Sequence, residues 1–347
     1  MKRFIRQIAV LLVLCMVFGC AAFAEEATQS DRVTFFLLCN ESMNNDRGNV
    51  GNTMMAVSFD PNDGTIRLLV FTWDTFINYE GYDTPQLIDQ PFRNNGAEES
   101  RDVFNANFNQ NIQNFVSVNY LNLATIIDAF GGVTVDVTRA ERNALNGMVS
   151  SKQKQLTAAA DMGLLEQAAV EMLASDYYLN EWGENTHLNG LQAVAYGWLQ
   201  YDSVYNCCQR EVYVISDLFA SVSETINNAV AFWMDSTGEP DDAGSRRVIN
   251  LDHMTEDDEA YLLEMVSPIF ESSYNNLSEE DILTISVALA KNAYTSARQG
   301  HNVLENVNFT ILPLEAQDVY DIVAGREGHI VDYEANAAAI TEFLFGE

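Results

Sequence analysis

The chain has 347 residues, with 18 Lys+Arg against 50 Asp+Glu and a formal net charge of -32. A charge of that sign excludes nucleic-acid binding, which requires phosphates to be neutralised, and it opposes adsorption to anionic membrane surfaces. Hydrophobic residues make up 48%, enough for a real core. The acids are spread along the chain rather than gathered in a tail, as on a solvated surface.

The N-terminus reads as an export signal. Lys2, Arg3 and Arg6 precede an apolar run from Ile8 to Phe18, too short for a confident membrane span, and "AAFAEE" offers small residues at Ala22 and Ala24 before Glu25. Residues 1–24 are therefore expected to be a signal peptide. Lipidation at Cys20 and retention as an N-terminal anchor are the alternatives. Cleavage leaves Cys39, Cys207 and Cys208, too few for a disulfide scaffold. They read as small buried side chains, with a Cys39 disulfide to one of the pair as the alternative in an oxidising compartment. His187, His253, His301 and His329 are far apart and no CxxC pair occurs, so zinc is not expected.

"RVTFFLLCN" (32–40) reads as a buried strand. "TMMAVSFD" (53–60) and "TIRLLVFTW" (65–73) flank the turn signal "PNDG" and make a β-hairpin. Residues 78–112 are polar and read as loop plus one helix. "NFVSVNY" (114–120) is a strand, "LNLATIIDAF" (121–130) a helix stopped by Gly131-Gly132, and "VTVDV" (133–137) a further strand. That alternation predicts an α/β layer. A helical insertion spans 140–182, helices follow at 188–200 and 207–230, and "STGEPDDAGS" lies in a flexible loop around 235–248. Thr255 and Ser278 each cap a helix with acids in its first turn. A late strand at 308–314 and a closing helix at 333–345 complete one domain, taken as 33–347.

Several of these pieces, in this order, resemble the LytR–CpsA–Psr proteins of bacterial envelopes. "GNTMMAVSFDP" resembles that family's "RSDTMMLVSIDP", "LLVFTWDTF" its "LLSIPRDTY", and "LNGLQAVAYGWLQYD" its "LNGEQALAYVRIRYD". "DAFGGVTVDV" is the most specific, beside "DALGGVTVDV". "NCCQREVYV" stands where the family has an R-x-x-R-Q helix start. The resemblance implies an extracytoplasmic three-layer α/β/α sandwich with a central mixed sheet. It also implies transfer of a glycopolymer from a polyprenyl-pyrophosphate carrier to peptidoglycan at the membrane periphery, with a hydrophobic tunnel for the lipid and arginines with Mg²⁺ on the pyrophosphate. Asp74 and Asp202 would be the catalytic acids, and Asp74 with Glu41 the metal ligands. Arg93, Arg210, Trp73 and Trp198 would bind substrate.

The departures fall at the chemistry. The family's arginine before Asp-Thr is Trp73 here, and its aspartate before Thr-Met-Met is Asn52. Its two helix arginines fall on Trp198 and Gln200, and those of the R-x-x-R-Q start on Asn206 and Gln209, with Arg210 one place late. A guanidinium gives phosphate two parallel charged hydrogen bonds, each contributing about 1.5–3 kcal/mol. Losing four or five of them implies reduced or lost transferase activity and a binding or assembly role. The alternative is an active phosphotransferase in which Arg67, Arg93, Arg101 and Arg210 rebuild the clamp. A further alternative is a non-enzymatic adhesion or ligand-binding module. Ordinary readings stand beside each residue. Asp74 can stabilise a turn, Asp202 can be a helix-surface acid, Arg210 can pair with Glu211 or another acid, and the two tryptophans can fill the old pocket.

Overall fold

A computed structural model describes residues 32–42, 50–163, 177–234, 244–300, 302–313 and 318–346. The expected signal peptide, most of the expected loop (235–243) and His301 lie outside the described residues. Among the described residues no helix is long and apolar enough to cross a membrane.

The strands are β1 (Val33–Asn40), β2 (Val50–Phe59), β3 (Ile66–Phe71), β4 (Phe76–Ile77), β5 (Gln86–Leu87), β6 (Asn114–Asn119), β7 (Val133–Val137) and β8 (Gly183–Leu188). They continue with β9 (Val230–Trp233), β10 (Arg247–Asn250), β11 (Tyr274–Asn275), β12 (Val307–Leu312), β13 (Asp318–Val323) and β14 (Arg326–Val331). The helices are α1 (Gln90–Asn95), α2 (Ala97–Phe108), α3 (Tyr120–Ala129), α4 (Arg139–Asp161) and α5 (Gly190–Gly197), then α6 (Val204–Ala229), α7 (Glu256–Glu271), α8 (Glu279–Gln299) and α9 (Tyr333–Phe345).

Six strands make the central sheet, in the order β11-β6-β1-β2-β3-β12. β2 runs antiparallel to its neighbours β1 and β3, whereas β6 runs parallel to β1 and β12 parallel to β3. The sheet is therefore mixed. Alternation along each strand splits the core in two. Phe35, Leu37, Cys39, Met55, Val57, Leu68 and Val70 face one cluster, shared with α3 to α8. Phe36, Leu38, Met54, Ala56, Leu69 and Phe71 face the other, closed by Phe92, Phe104 and Phe108 from α1 and α2 and by Ile340 and Leu344 from α9. Strands buried on both faces read as unbroken apolar runs, which is the pattern of "VTFFLLCN". The outcome is the expected α/β/α sandwich.

The helix starts follow local chemistry. Thr138, Asn189, Thr255 and Ser278 each accept a hydrogen bond from the third residue of their helix, whose side chain answers the cap backbone. The β2–β3 hairpin, the Thr255 and Ser278 caps and the closing helix form as the sequence implies. Four features differ. The polar 78–112 segment holds two helices, because Gly96 interrupts it with φ 92 and ψ -162. β7 leaves the main sheet to pair antiparallel with β8. Arg247–Asn250, which begins within the last residues of the expected loop, is a strand parallel to β9 with Ile249 buried. The β13–β14 hairpin, joined at Ala324-Gly325, carries no strong apolar alternation and is invisible to periodicity.

α5 begins against α3. The Gly190 N–H donates to Asp128 at 2.6 Å, and a Cβ at Gly190 would stand 1.9 Å from the Ala124 carbonyl oxygen. Gly190→Ala is expected to lower stability by about 2 kcal/mol through overpacking of backbone on backbone. Chemical denaturation measures it, and a loss below about 0.5 kcal/mol, the scatter of surface substitutions, would contradict the close approach.

Candidate functional site

β1 and β3 point the same way, so Glu41 and Asp74 both stand beyond strand ends on one edge of the sheet. Asp74 is buried in the turn that leaves β3. There the Thr72 and Thr75 hydroxyls lie 2.9 Å apart, and the Thr72 N–H donates to Leu312 at the end of β12. The late hairpin covers it. The His329 N–H donates to the Asp74 carbonyl at 2.8 Å, and His329 Nε2 lies 3.7 Å from Asp74 Oδ2. Gly328 permits this contact, since a Cβ there would fall 2.2 Å from the same carbonyl oxygen. Tyr320 packs edge-on to the His329 ring at 4.9 Å, and burial, then the Asp74 charge, raise its hydroxyl pKa.

The other wall is the start of α6 with the end of α5. Trp198 is buried, and its Nε1 donates to Thr53 Oγ1 at 3.1 Å. Cys207 and Cys208 are buried free thiols, as is Cys39. Their sulfurs point at the carbonyls of Gly197 (3.4 Å) and Phe71 (3.9 Å) respectively. Burial and the nearby Glu211 push all three thiols far above their usual range, so none offers a thiolate. Glu211 is fully enclosed beside them. Neither carboxyl oxygen makes a hydrogen bond of good geometry, although the Thr53 hydroxyl is near enough to act on it. Burial pushes its pKa up to about 8, against the weaker pull of Thr53 and Arg210, so it is mostly protonated at neutral pH.

Arg210 points elsewhere. It is 3% exposed and donates to both Asp202 oxygens at 2.7 and 2.9 Å and to the Leu199 carbonyl, with Glu141 at 3.4 Å. Its guanidinium also lies 5.3 Å from the Tyr201 ring centroid. The hydrogen bond from Arg210 holds the Asp202 carboxyl below its usual pKa against partial burial. Asn206 donates to the same carboxylate at 3.1 Å. Arg93 pairs with Asp89 one turn back on α1, its Nε 2.7 Å away. Neither arginine reaches Asp74. Trp73 is half-buried against the α1/α2/α9 core, on the opposite side of the sheet from Trp198. The side chain of Asn52 lies outside the described residues.

Glu41 meets Lys152 of α4, whose Nζ is 3.7 Å from Oε1 and sits over the rings of Tyr120 (4.7 Å) and Trp198 (5.6 Å). The described residues do not fit a Mg²⁺ ion held by Asp74 and Glu41. Their strands are separated by β2, hence by about 10 Å of sheet. Among the described residues no group of three His, Cys, Asp or Glu side chains converges to hold a metal. The site thus gathers Asp74, His329, Trp198, Cys208 and Glu211, with Lys152 as the nearby cation. Lys152 and Tyr120 are absent from the site residues read off the sequence, and Glu211 stands there only as a partner for Arg210. Glu211 carries a legible signal: it lies four residues after Cys207 and four before Ile215, both on the buried face of α6.

A family model described as the LytR_cpsA_psr family matches residues 22–210. TagV of Bacillus subtilis superposes with a TM-score of 0.57 at 14% identity, covering 90% of this chain and 97% of that one. TagT bound to LIIa-WTA gives 0.55 at 13%, covering 93% and 94%. An Enterococcus faecalis protein titled a transcriptional regulator gives 0.55 at 13%, covering 90% and 88%. At such identities these likenesses speak for the fold. No curated protein matches the sequence.

Proposed function

Because this chain belongs to the LytR–CpsA–Psr family, we propose that it serves the attachment of glycopolymers in the bacterial cell envelope as an exported binding or assembly module. Its transferase activity is reduced or lost. One observation carries the reading. Where the resemblance puts the arginines that grip a diphosphate, the chain has Trp73, the buried Trp198, Gln200, Asn206 and Gln209, two buried thiols stand between the last pair, and Arg210 is consumed by Asp202 and Glu141. Electrostatic stabilisation dominates phosphoryl transfer, so a dry, uncharged plug removes most of the chemistry. The relocated-clamp alternative loses support from the same contacts. Arg67 faces Asp60 at 3.9 Å, Arg101 binds Asp102 and the Gln113 carbonyl, and Arg93 binds Asp89. The glycopolymer class is supported by the family and by the TagT neighbour bound to LIIa-WTA.

The test is incubation of the protein with a polyprenyl-pyrophosphate glycan donor, Mg²⁺ and peptidoglycan. No polymer above the enzyme-free background is the expected result. Robust transfer that disappears in Asp74→Ala would overturn the reading.

A further inference from the structure

Outside the plugged site, the first turn of α4 carries two arginines that no acid among the described residues pairs with. Arg139 and Arg142 are three residues apart and share one face of the helix. In a chain with 50 acids, neither forms an ion pair or a side-chain hydrogen bond among the described residues. The Nε of Arg142 is buried without a partner. Both guanidinium groups are gathered instead about Trp182, at 4.6 Å (Arg142) and 5.9 Å (Arg139) from its ring centroid. Trp182 itself is 49% exposed.

Among the described residues the carboxylates nearby are engaged by other groups or form no ion pair with the two arginines. Glu141, on the same turn, accepts from the Thr138 N–H and reaches Arg210. Asp136 accepts from the Asn185 N–H. Glu181 and Glu184 flank Trp182 in sequence, yet neither pairs with the arginines. Two like charges at this spacing repel, and cations in a first helical turn oppose the macrodipole. Among the described residues no acid relieves these costs, and uncompensated breaks of local rules concentrate at functional positions.

We propose that Trp182, Arg139 and Arg142 form a binding site for an anionic sugar, a pyranose ring carrying phosphate or carboxylate. A half-exposed indole offers a flat apolar surface to the C–H face of a sugar ring. The guanidinium groups offer forked donors to the attached anion. A neutral sugar would use only the first and a free phosphate only the second. The site names the ligand of the binding role proposed above and rests on that role. Its test uses no transfer readout, so the two fail separately.

The probe is N-acetylglucosamine 1-phosphate, titrated calorimetrically into the full chain. N-acetylglucosamine, inorganic phosphate and a polyglutamate peptide are the comparators. The phosphorylated sugar is expected to bind at least about tenfold more tightly than either of its halves, and Trp182→Ala and R139Q/R142Q are each expected to weaken it about tenfold. Added salt should weaken binding further. Arg139→Gln alone, at an exposed position, serves as the second variant if the double variant does not fold. Unchanged affinity in these variants would overturn the proposal. So would equal binding of the neutral sugar, or tighter binding of polyglutamate, which would mark a peptide surface instead.

Discussion

Glu211→Met is expected to make the protein more stable at pH 8, with a gain that disappears as the pH falls toward 4.5. The folded-state pKa of Glu211 is raised to about 8 by burial, from an ordinary 4.5. Between those values the folded protein holds a proton that the unfolded chain has released. Stability therefore declines as pH rises through this window and levels off above it. A gap of that width corresponds to on the order of 4 kcal/mol. Methionine fills a similar volume without a group that must stay protonated, and it leaves no carboxyl oxygens buried without partners. Urea unfolding of both proteins at pH 4.5, 6 and 8 measures the effect. Parallel pH profiles would mean that Glu211 is solvated or paired in solution.

Arg210→Met, one residue earlier on the same helix, is expected to have the opposite sign. It removes a cation that satisfies Asp202, Glu141 and the Leu199 carbonyl at once. Breaking a buried ion pair costs about 3–5 kcal/mol, and Asp202, a quarter exposed, brings this toward the lower end, about 3. Arg210→Lys should recover only part, because one ammonium cannot span two carboxylates and a carbonyl. If Arg210 were held for a phosphate instead, the methionine variant would keep wild-type stability and lose only ligand affinity. Equilibrium unfolding at pH 7 separates the two.

The contrast between these neighbours explains what the sequence could and could not reveal. The individual strands and helices were legible because buried strands and capped amphipathic helices announce themselves by pattern, as in β1 and in α8 behind Ser278, whereas the three-layer sandwich was implied by the family resemblance. The replacement of arginines was equally legible, since identity at a position needs no coordinates. The directions of side chains were not. Trp73 and Trp198 read alike in sequence, yet the parity of β3 sends the first to the α2/α9 side, while Trp198 closes α5 on the other. Arg210 and Glu211 read as an adjacent ion pair. A helix turns about 100° per residue, so consecutive side chains diverge, and these two end in separate environments. His329, read only as one of four scattered histidines, and Lys152 were not placed at the site because their partners Asp74 and Glu41 are 255 and 111 residues away.

The cover over Asp74 has a consequence for how the protein comes together. β12, the β13–β14 hairpin and α9 all derive from the last portion of the chain, yet they dock on β3, α2 and the Asp74 turn. During synthesis the sheet face that α1 and α2 cover is completed only by a tail made some 240 residues after β3. Long-range closure of this kind slows folding. A single protease cut after β12 would leave the β13–β14 hairpin and α9 held only by their packing, and their release would uncover Phe108 and the buried aspartate together.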